Sequence, residues 1–467
     1  MSSRSASRWI VVACVLLLGS VTTRAQSGIT PEEYKQRRAF LMSKMEPNSI
    51  AIFKARDESV RSNDVNYLYH QESNFHYFTG CDEPRSYLLL CPDGVLVDST
   101  TTSKEVFFIR PKTRSAAGES LGLEGAKSQL GFAVTLQASD LLKFTKRVLA
   151  GKKILYYLPS LPDVVYDPLM EKRSILSREV KTELLAAFPG LEIKNPYGLI
   201  AETRSIKSPA EIALLQKAID ATITAHVEAM KSCEPDMYEY EVQAVIEYCF
   251  AKNGAEYQGF PSIVGSGPNS CILHYEANRR KMQGGEIVVM DIGAEVQGYS
   301  ADVTRTIPVN GTFSQAQRDI YEIVLRANEE SIKEFKPGAS PGVPSQKAYD
   351  IIAEGLMKLG IITDKNDART YYMHGLSHHI GLDVHDVGPF GKPYAPGMIL
   401  TDEPGIYIPA GSPCEKKYWN IGVRIEDDVL ITAEGNRVLS AGAPKSVKEI
   451  ESLMKKKGIG NVTIGDK

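Results

Sequence analysis

The stretch EIVVMDIGAEVQGYSADVTRTIPV, Glu286 to Val309, constrains the fold more than any other part of the chain. Two strand-like apolar runs flank Glu295-Val296-Gln297-Gly298, which predicts a β-hairpin. With the turn centred between Val296 and Gln297, Asp291 and Asp302 lie equidistant from it and face each other across the two strands. Like charges directly opposed in a sheet are destabilising. Burying them, as the apolar run Ile287 to Met290 implies for Asp291, adds an uncompensated desolvation cost. Either aspartate alone reads as a turn cap. The symmetric pair instead asks for cations between the carboxylates.

A second stretch supplies further ligands. HGLSHHIGLDVHD, His374 to Asp386, holds four of the chain's eight histidines, a density that points to metal or proton-transfer chemistry. Two more acids follow it. Glu403 stands in TDEPGIYI beyond an apolar strand, with Pro404-Gly405 fixing a turn behind it. Glu426 stands in VRIEDDVLI, where Asp427 and Asp428 are expected in solvent and strand alternation points one acid inward. Hard, oxygen-rich ligation with a single imidazole suits manganese, or cobalt or iron, better than an ordinary zinc site, though zinc stays open. The sequence contains no HExxH or Walker motif, which removes the usual zincin and P-loop readings.

A chain of 467 residues exceeds one hydrophobic core of ordinary size, so two domains are expected. From about residue 29 to 200, apolar runs (Ile50 to Phe53, Tyr87 to Cys91, Val106 to Ile109, Lys153 to Tyr157) alternate with helical patterns, which reads as a smaller α/β domain. The boundary falls near 196–207. There Ser208-Pro209-Ala210-Glu211 forms a helix N-cap, a proline at N1 and a glutamate at N3. Residues 205 to 446 read as an α+β domain, with helices near 209–231, 236–253, 314–335 and 344–360 outside antiparallel hairpins. Residues 447–467 form a tail.

The first 25 residues stand apart. Arg4 and Arg8 precede the apolar run Trp9 to Leu18, and Thr23-Arg24-Ala25 offers a cleavage site. This layout predicts a signal peptide and an exported, periplasmic or secreted protein with no membrane span after cleavage. Removing the segment takes away Arg4, Arg8 and Arg24 and no acid, moving the net charge from −3 to −6, which argues against a nucleic-acid partner. The six remaining cysteines form no CxxC pair or zinc-finger spacing.

Taken in order, ILHY (272–275), DIGAEVQGYSADVTRT (291–306), HGLSHHIGLDVHD (374–386), TDEPGIY (401–407) and GVRIEDD (422–428) resemble the blocks of the aminopeptidase P and prolidase family. YLYHQESNFHYFTGCDEP (67–84) resembles that family's N-terminal domain, so the likeness spans nearly the whole chain after residue 25. It implies a C-terminal catalytic domain of the pita-bread fold, two divalent metal ions and a homo-oligomer, a dimer or tetramer. It implies that Asp291, Asp302, His378, Glu403 and Glu426 are the metal ligands, with Asp302 and Glu426 bridging. His274, His374 and His385 match histidines that contact substrate or move protons, and Arg424 matches an arginine supporting the carboxylates and the substrate site.

The implied reaction is hydrolysis of the Xaa-Pro bond of peptides with proline at the second position, by a water that the metal pair activates. Glu403 would act as ligand and general base, and His374 or His385 would stabilise the oxyanion. Two positions depart from the family. His379 stands where an aromatic is usual and is expected in packing or the pocket wall. Phe260 stands where some relatives carry tyrosine, which makes the pocket for the N-terminal residue more apolar. The alternatives are a dipeptidase of prolidase type, a metal-free enzyme such as creatine amidinohydrolase, and a non-catalytic protein of this fold. The last two predict eroded metal ligands, and all five are intact here.

Overall fold

The computed structural model describes residues 28–115, 118–157, 164–167 and 172–461. The expected signal peptide (1–25) and the end of the tail (462–467) lie outside them.

The N-terminal half is built on a six-stranded mixed sheet. Its order is Glu192–Lys194, Ile154–Tyr157, Ser49–Lys54, Tyr87–Leu96, Thr102–Ile109, Thr135–Gln137. The run Leu88-Leu89-Leu90-Cys91 shows no polar alternation because both faces of the sheet are covered. Leu88 and Leu90 join one core and Leu89 and Cys91 another, the latter packed with Phe144 and Val148 of the helix Leu141–Leu149. The chain leaves this sheet through the helix Tyr197–Arg204 and enters the long helix Pro209–Ser232. The expected capping box closes that helix: Ser208 Oγ accepts from the Glu211 amide at 3.2 Å, and Glu211 Oε2 accepts from the Ser208 amide at 3.0 Å.

The C-terminal half is α+β as expected. Helices Pro209–Ser232, Glu239–Lys252, Gln315–Ile332 and Gly342–Lys358 surround strands that all pair antiparallel. Ile287–Ile292 pairs with Val303–Pro308, setting Asp291 opposite Thr304. The turn is centred between Gln297 and Gly298, one residue later than the sequence suggests. Both residues have positive φ, 51° and 80°, the geometry that matches the twist of a two-residue hairpin. The one-residue shift corrects the expected opposition: the same register carried onward sets Asp302 opposite Gly293, so the aspartates are diagonal neighbours on one face. Gly293 is required there, because a Cβ would sit 1.8 Å from the Ala301 carbonyl oxygen.

A second correction concerns the acidic run. The expected strand Val423–Ile431 is two strands, Ile421–Arg424 pairing with Gly405–Ile408 and Asp427–Ile431 pairing with Ile399–Asp402. The chain changes partner at Ile425-Glu426, and so Glu426, Asp427 and Asp428 are all buried. Asp427 pairs with Arg305 and Lys445, each at 2.7 Å, and Asp428 accepts the Asp302 amide at 3.2 Å. Among the described residues all six cysteines are free thiols, and no helix is long and apolar enough to cross a membrane.

Candidate active site

Ten residues line a cavity of about 210 Å³: Leu273 with His274, Asp291, Asp302, His374, His378, His385, Glu403, Arg424 and Glu426. Every residue the sequence offers for the site is therefore brought together except two. His379 turns away. Its backbone bridges to Asp386 and Leu400, and its ring covers Gly388, where a Cβ would lie 2.0 Å from the imidazole. It is a packing residue. Phe260 packs its ring over Gly293 and is not among the residues that line the cavity.

The ligand geometry follows from strand ends and one irregular loop. Asp291 is the penultimate residue of a buried strand, Asp302 immediately precedes the return strand Val303–Pro308, and Glu403 and Glu426 occupy the breaks where the chain passes between sheets. Ligand atoms of Asp302, His378 and Glu426 lie within 4.8 Å of one another. His378 Nε2 stands 3.4 Å from Asp302 and 3.7 Å from Glu403. Its Nδ1 lies 3.1 Å from the His379 carbonyl, so Nδ1 carries a hydrogen and Nε2 is the atom aimed at the acids.

Four carboxylates converge here against one guanidinium. Burial, reinforced by Asp291, pushes the Asp302 carboxyl up to about 6, and burial pushes Glu403 up to about 8. Burial opposes charge on His378, yet Asp302 and Glu403 outweigh it and raise the imidazole to about 9. The buried Oδ1 of Asp291 finds no hydrogen-bond partner. An acid cluster that protein cations leave under-neutralised, with one imidazole nitrogen and an orphaned carboxylate oxygen, fits hard divalent cations.

Arg424 organises the remainder. Its Nη2 donates to Asp291 Oδ2 at 2.6 Å, Nε to Thr304 Oγ1 at 3.2 Å and Nη1 to the Tyr407 hydroxyl oxygen at 2.9 Å. Thr304 in turn donates to Glu426 at 2.7 Å. Because arginine only donates, the Tyr407 proton points onward to His374 Nε2, 2.8 Å away. His374 is thereby the tautomer with hydrogen on Nδ1, which donates to the Gly375 carbonyl at 2.8 Å. Burial and the Arg424 charge lower its pKa to about 4, so it is neutral. Both its nitrogens are engaged, which leaves His385 and His274 as the histidines free to meet a ligand. The His385 ring stands edge-on to His378, centroids 4.4 Å apart.

Tyr407 and Thr304 escape a reading of the sequence, because a tyrosine or threonine inside a strand reads as ordinary packing. Gly405 gives the one hint. A Cβ there would lie 2.5 Å from the Tyr407 hydroxyl, so only glycine lets that ring reach the site.

Residues 213–433 match the model of metallopeptidase family M24, and residues 34–156 match the aminopeptidase P N-terminal domain. The chain is 39% identical over 445 residues to the Xaa-Pro aminopeptidase of Escherichia coli (strain K12), covering 92% of this chain and 98% of that one. It is 31% identical to Xaa-Pro aminopeptidase 3 of Homo sapiens, covering 91% and 86%. Its structure is similar to that of aminopeptidase P from E. coli with the inhibitor Pro-Leu, with a TM-score of 0.81 and 38% identity over 91% of this chain and 98% of the other. A zinc-substituted form of that enzyme in complex with product is similar at a TM-score of 0.80.

Proposed function

The chain belongs to metallopeptidase family M24, its pita-bread catalytic domain preceded by the N-terminal domain of aminopeptidase P, and on that premise we propose that it is an Xaa-Pro aminopeptidase working with two divalent ions, manganese first among them. The observation that carries this reading is the single cavity holding five intact ligand residues beside three histidines and Arg424. When bound, the ions neutralise the acid cluster and lower the pKa of an attacking water.

The chain's own residues do the rest. Glu403 takes the proton of the water as oxygen attacks the Xaa carbonyl, and returns it to the proline nitrogen as the C–N bond breaks. His385 or His274, at the cavity mouth, hydrogen-bonds the oxyanion. Arg424, through Tyr407, holds His374 neutral and fixed beside Glu403, its Nδ1 3.7 Å from that carboxylate. The proline nitrogen, like any amide nitrogen, leaves as an amine only once it is protonated, and the proton that Glu403 takes from the water supplies this.

Purified protein is tested on Xaa-Pro-Xaa peptides and on Gly-Pro, with metal content measured and chelator added. Chelator-sensitive release of the first residue from the longer peptides is expected. Turnover of Gly-Pro alone would make it a dipeptidase, and turnover without metal would overturn the reading. The reading includes export through residues 1–25 and a homo-oligomer. The latter is supported by Val60, Val65, Tyr67 and Leu68, each more than half exposed in and beside one N-terminal hairpin.

A further inference from the structure

His385, in the cavity wall, sits in a loop with no regular secondary structure, and much of what fixes that loop comes from outside its own domain. Those contacts lie on either side of it. Asp383 Oδ1 accepts from Ser73 Oγ at 2.6 Å, and Asp383 Oδ2 pairs with Arg204 Nη2 at 2.9 Å. Asp386, its side chain 2% exposed, pairs with the same Arg204 nitrogen and with Lys207 Nζ at 3.0 Å. Arg204 Nη1 donates to Asn74 Oδ1 at 2.7 Å.

Ser73 and Asn74 open a short helix of the N-terminal domain, and Arg204 and Lys207 belong to the segment joining the two domains. Arg204 and Lys207 share the buried Asp386, and the partly exposed Asp383 adds a second carboxylate at the edge of the cluster. The backbone closes the loop: the Asp386 amide donates to the His379 carbonyl at 2.8 Å, the same carbonyl that fixes His378. The segment from His378 to Asp386 is thus pinned at both ends, one end aimed at the acids and the other bound across the domain boundary.

We propose that Arg204, Asp383 and Ser73 are positioning residues that let the N-terminal domain hold His385 in its working place. A guanidinium fork suits this role, because its planar, fixed donors hold Asn74 on Nη1 and both aspartates on Nη2 in one geometry. The proposal rests on the peptidase reading above, and the test separates the two.

Arg204 is buried and its variants risk misfolding, so the experiment uses Asp383→Ala and Ser73→Ala, alone and combined with His385→Ala. Asp383 has a side chain 43% exposed, so its loss leaves no buried cavity. Each single variant is expected to lower kcat on an Xaa-Pro-Xaa peptide by about tenfold or more, the scale of a displaced catalytic group, with metal content and Tm near wild type. The decisive readout is the double variant. In a His385→Ala background, Asp383→Ala should cause no further loss, because the group it positions is gone. Additive losses, or single variants with wild-type kcat, would overturn the proposal. An inactive wild-type protein would instead reject the peptidase reading.

Discussion

Arg424 places Nη2 2.6 Å from Asp291 Oδ2 and leaves Oδ1 of the same carboxylate buried without a partner. One oxygen is held by the protein and the other is left for a cation. The arginine also reaches Tyr407, so ligand orientation and the state of His374 depend on one side chain. Tyr407→Phe should leave metal content unchanged, since no proposed ligand is touched, and lower kcat/KM by about tenfold or more, because Arg424 and His374 each lose a buried partner. Metal analysis with steady-state kinetics checks it, and unchanged kcat/KM would reject the relay.

Asp302→Ala should abolish activity together with most metal binding. Asp302 lies between His378 and the other acids, and its removal strips a shared ligand from the cluster. Full activity in that variant would sink the site assignment.

His385→Ala should lower kcat by about 10²-fold while the metal stays, the cost of losing an oxyanion or proton-transfer contact. His379→Trp should keep both metal and most turnover, since that ring packs outside the cavity. Loss of metal from His379→Trp with retention in His378→Ala would show the wrong neighbour assigned.

The acid cluster gives metal-free protein a distinctive pH dependence. Glu403 is raised to about 8 and His378 to about 9, above their unfolded values. The folded state therefore binds more protons than the unfolded state between about pH 7.5 and 8.5, and unfolding free energy falls as pH rises through that window. The glutamate costs stability where it ionises, and the histidine's contribution is present below its unfolded pKa and lost as pH rises towards its folded one. His226, His374 and His379, lowered to about 3, 4 and 4 by burial, are neutral in both states above about pH 7.5 and drop out of that window. Calorimetry on chelated protein should show Tm falling across the window, and manganese should flatten the slope by replacing the protons. A rising Tm in the metal-free protein would contradict it.

Residues 1–25 should be absent from the protein recovered outside the cytoplasm of its native cell, with the N-terminus near Gln26. Edman or mass-spectrometric sequencing reads this directly. Intact Met1 on cytosolic protein would reject export.

The sequence by itself determined what is local and periodic. Helix spans, the Ser208 capping box and the unbroken apolar runs of a sheet covered on both faces follow from short-range patterns. The ligand types were legible because acids inside apolar runs and four clustered histidines have few cheap explanations. Only the tertiary structure decided the rest. The hairpin register turned on φ at Gln297 and Gly298, and the burial of Asp427 and Asp428 turned on a change of strand partner at Ile425-Glu426. His379 and His378 are adjacent and chemically identical, so only the loop's path could send one to the acids and the other to Gly388. The Arg204–Asp383–Asp386 cluster joins residues almost two hundred positions apart. No window along the chain contains it, because a buried ion pair is made by packing, and packing is a property of the folded chain.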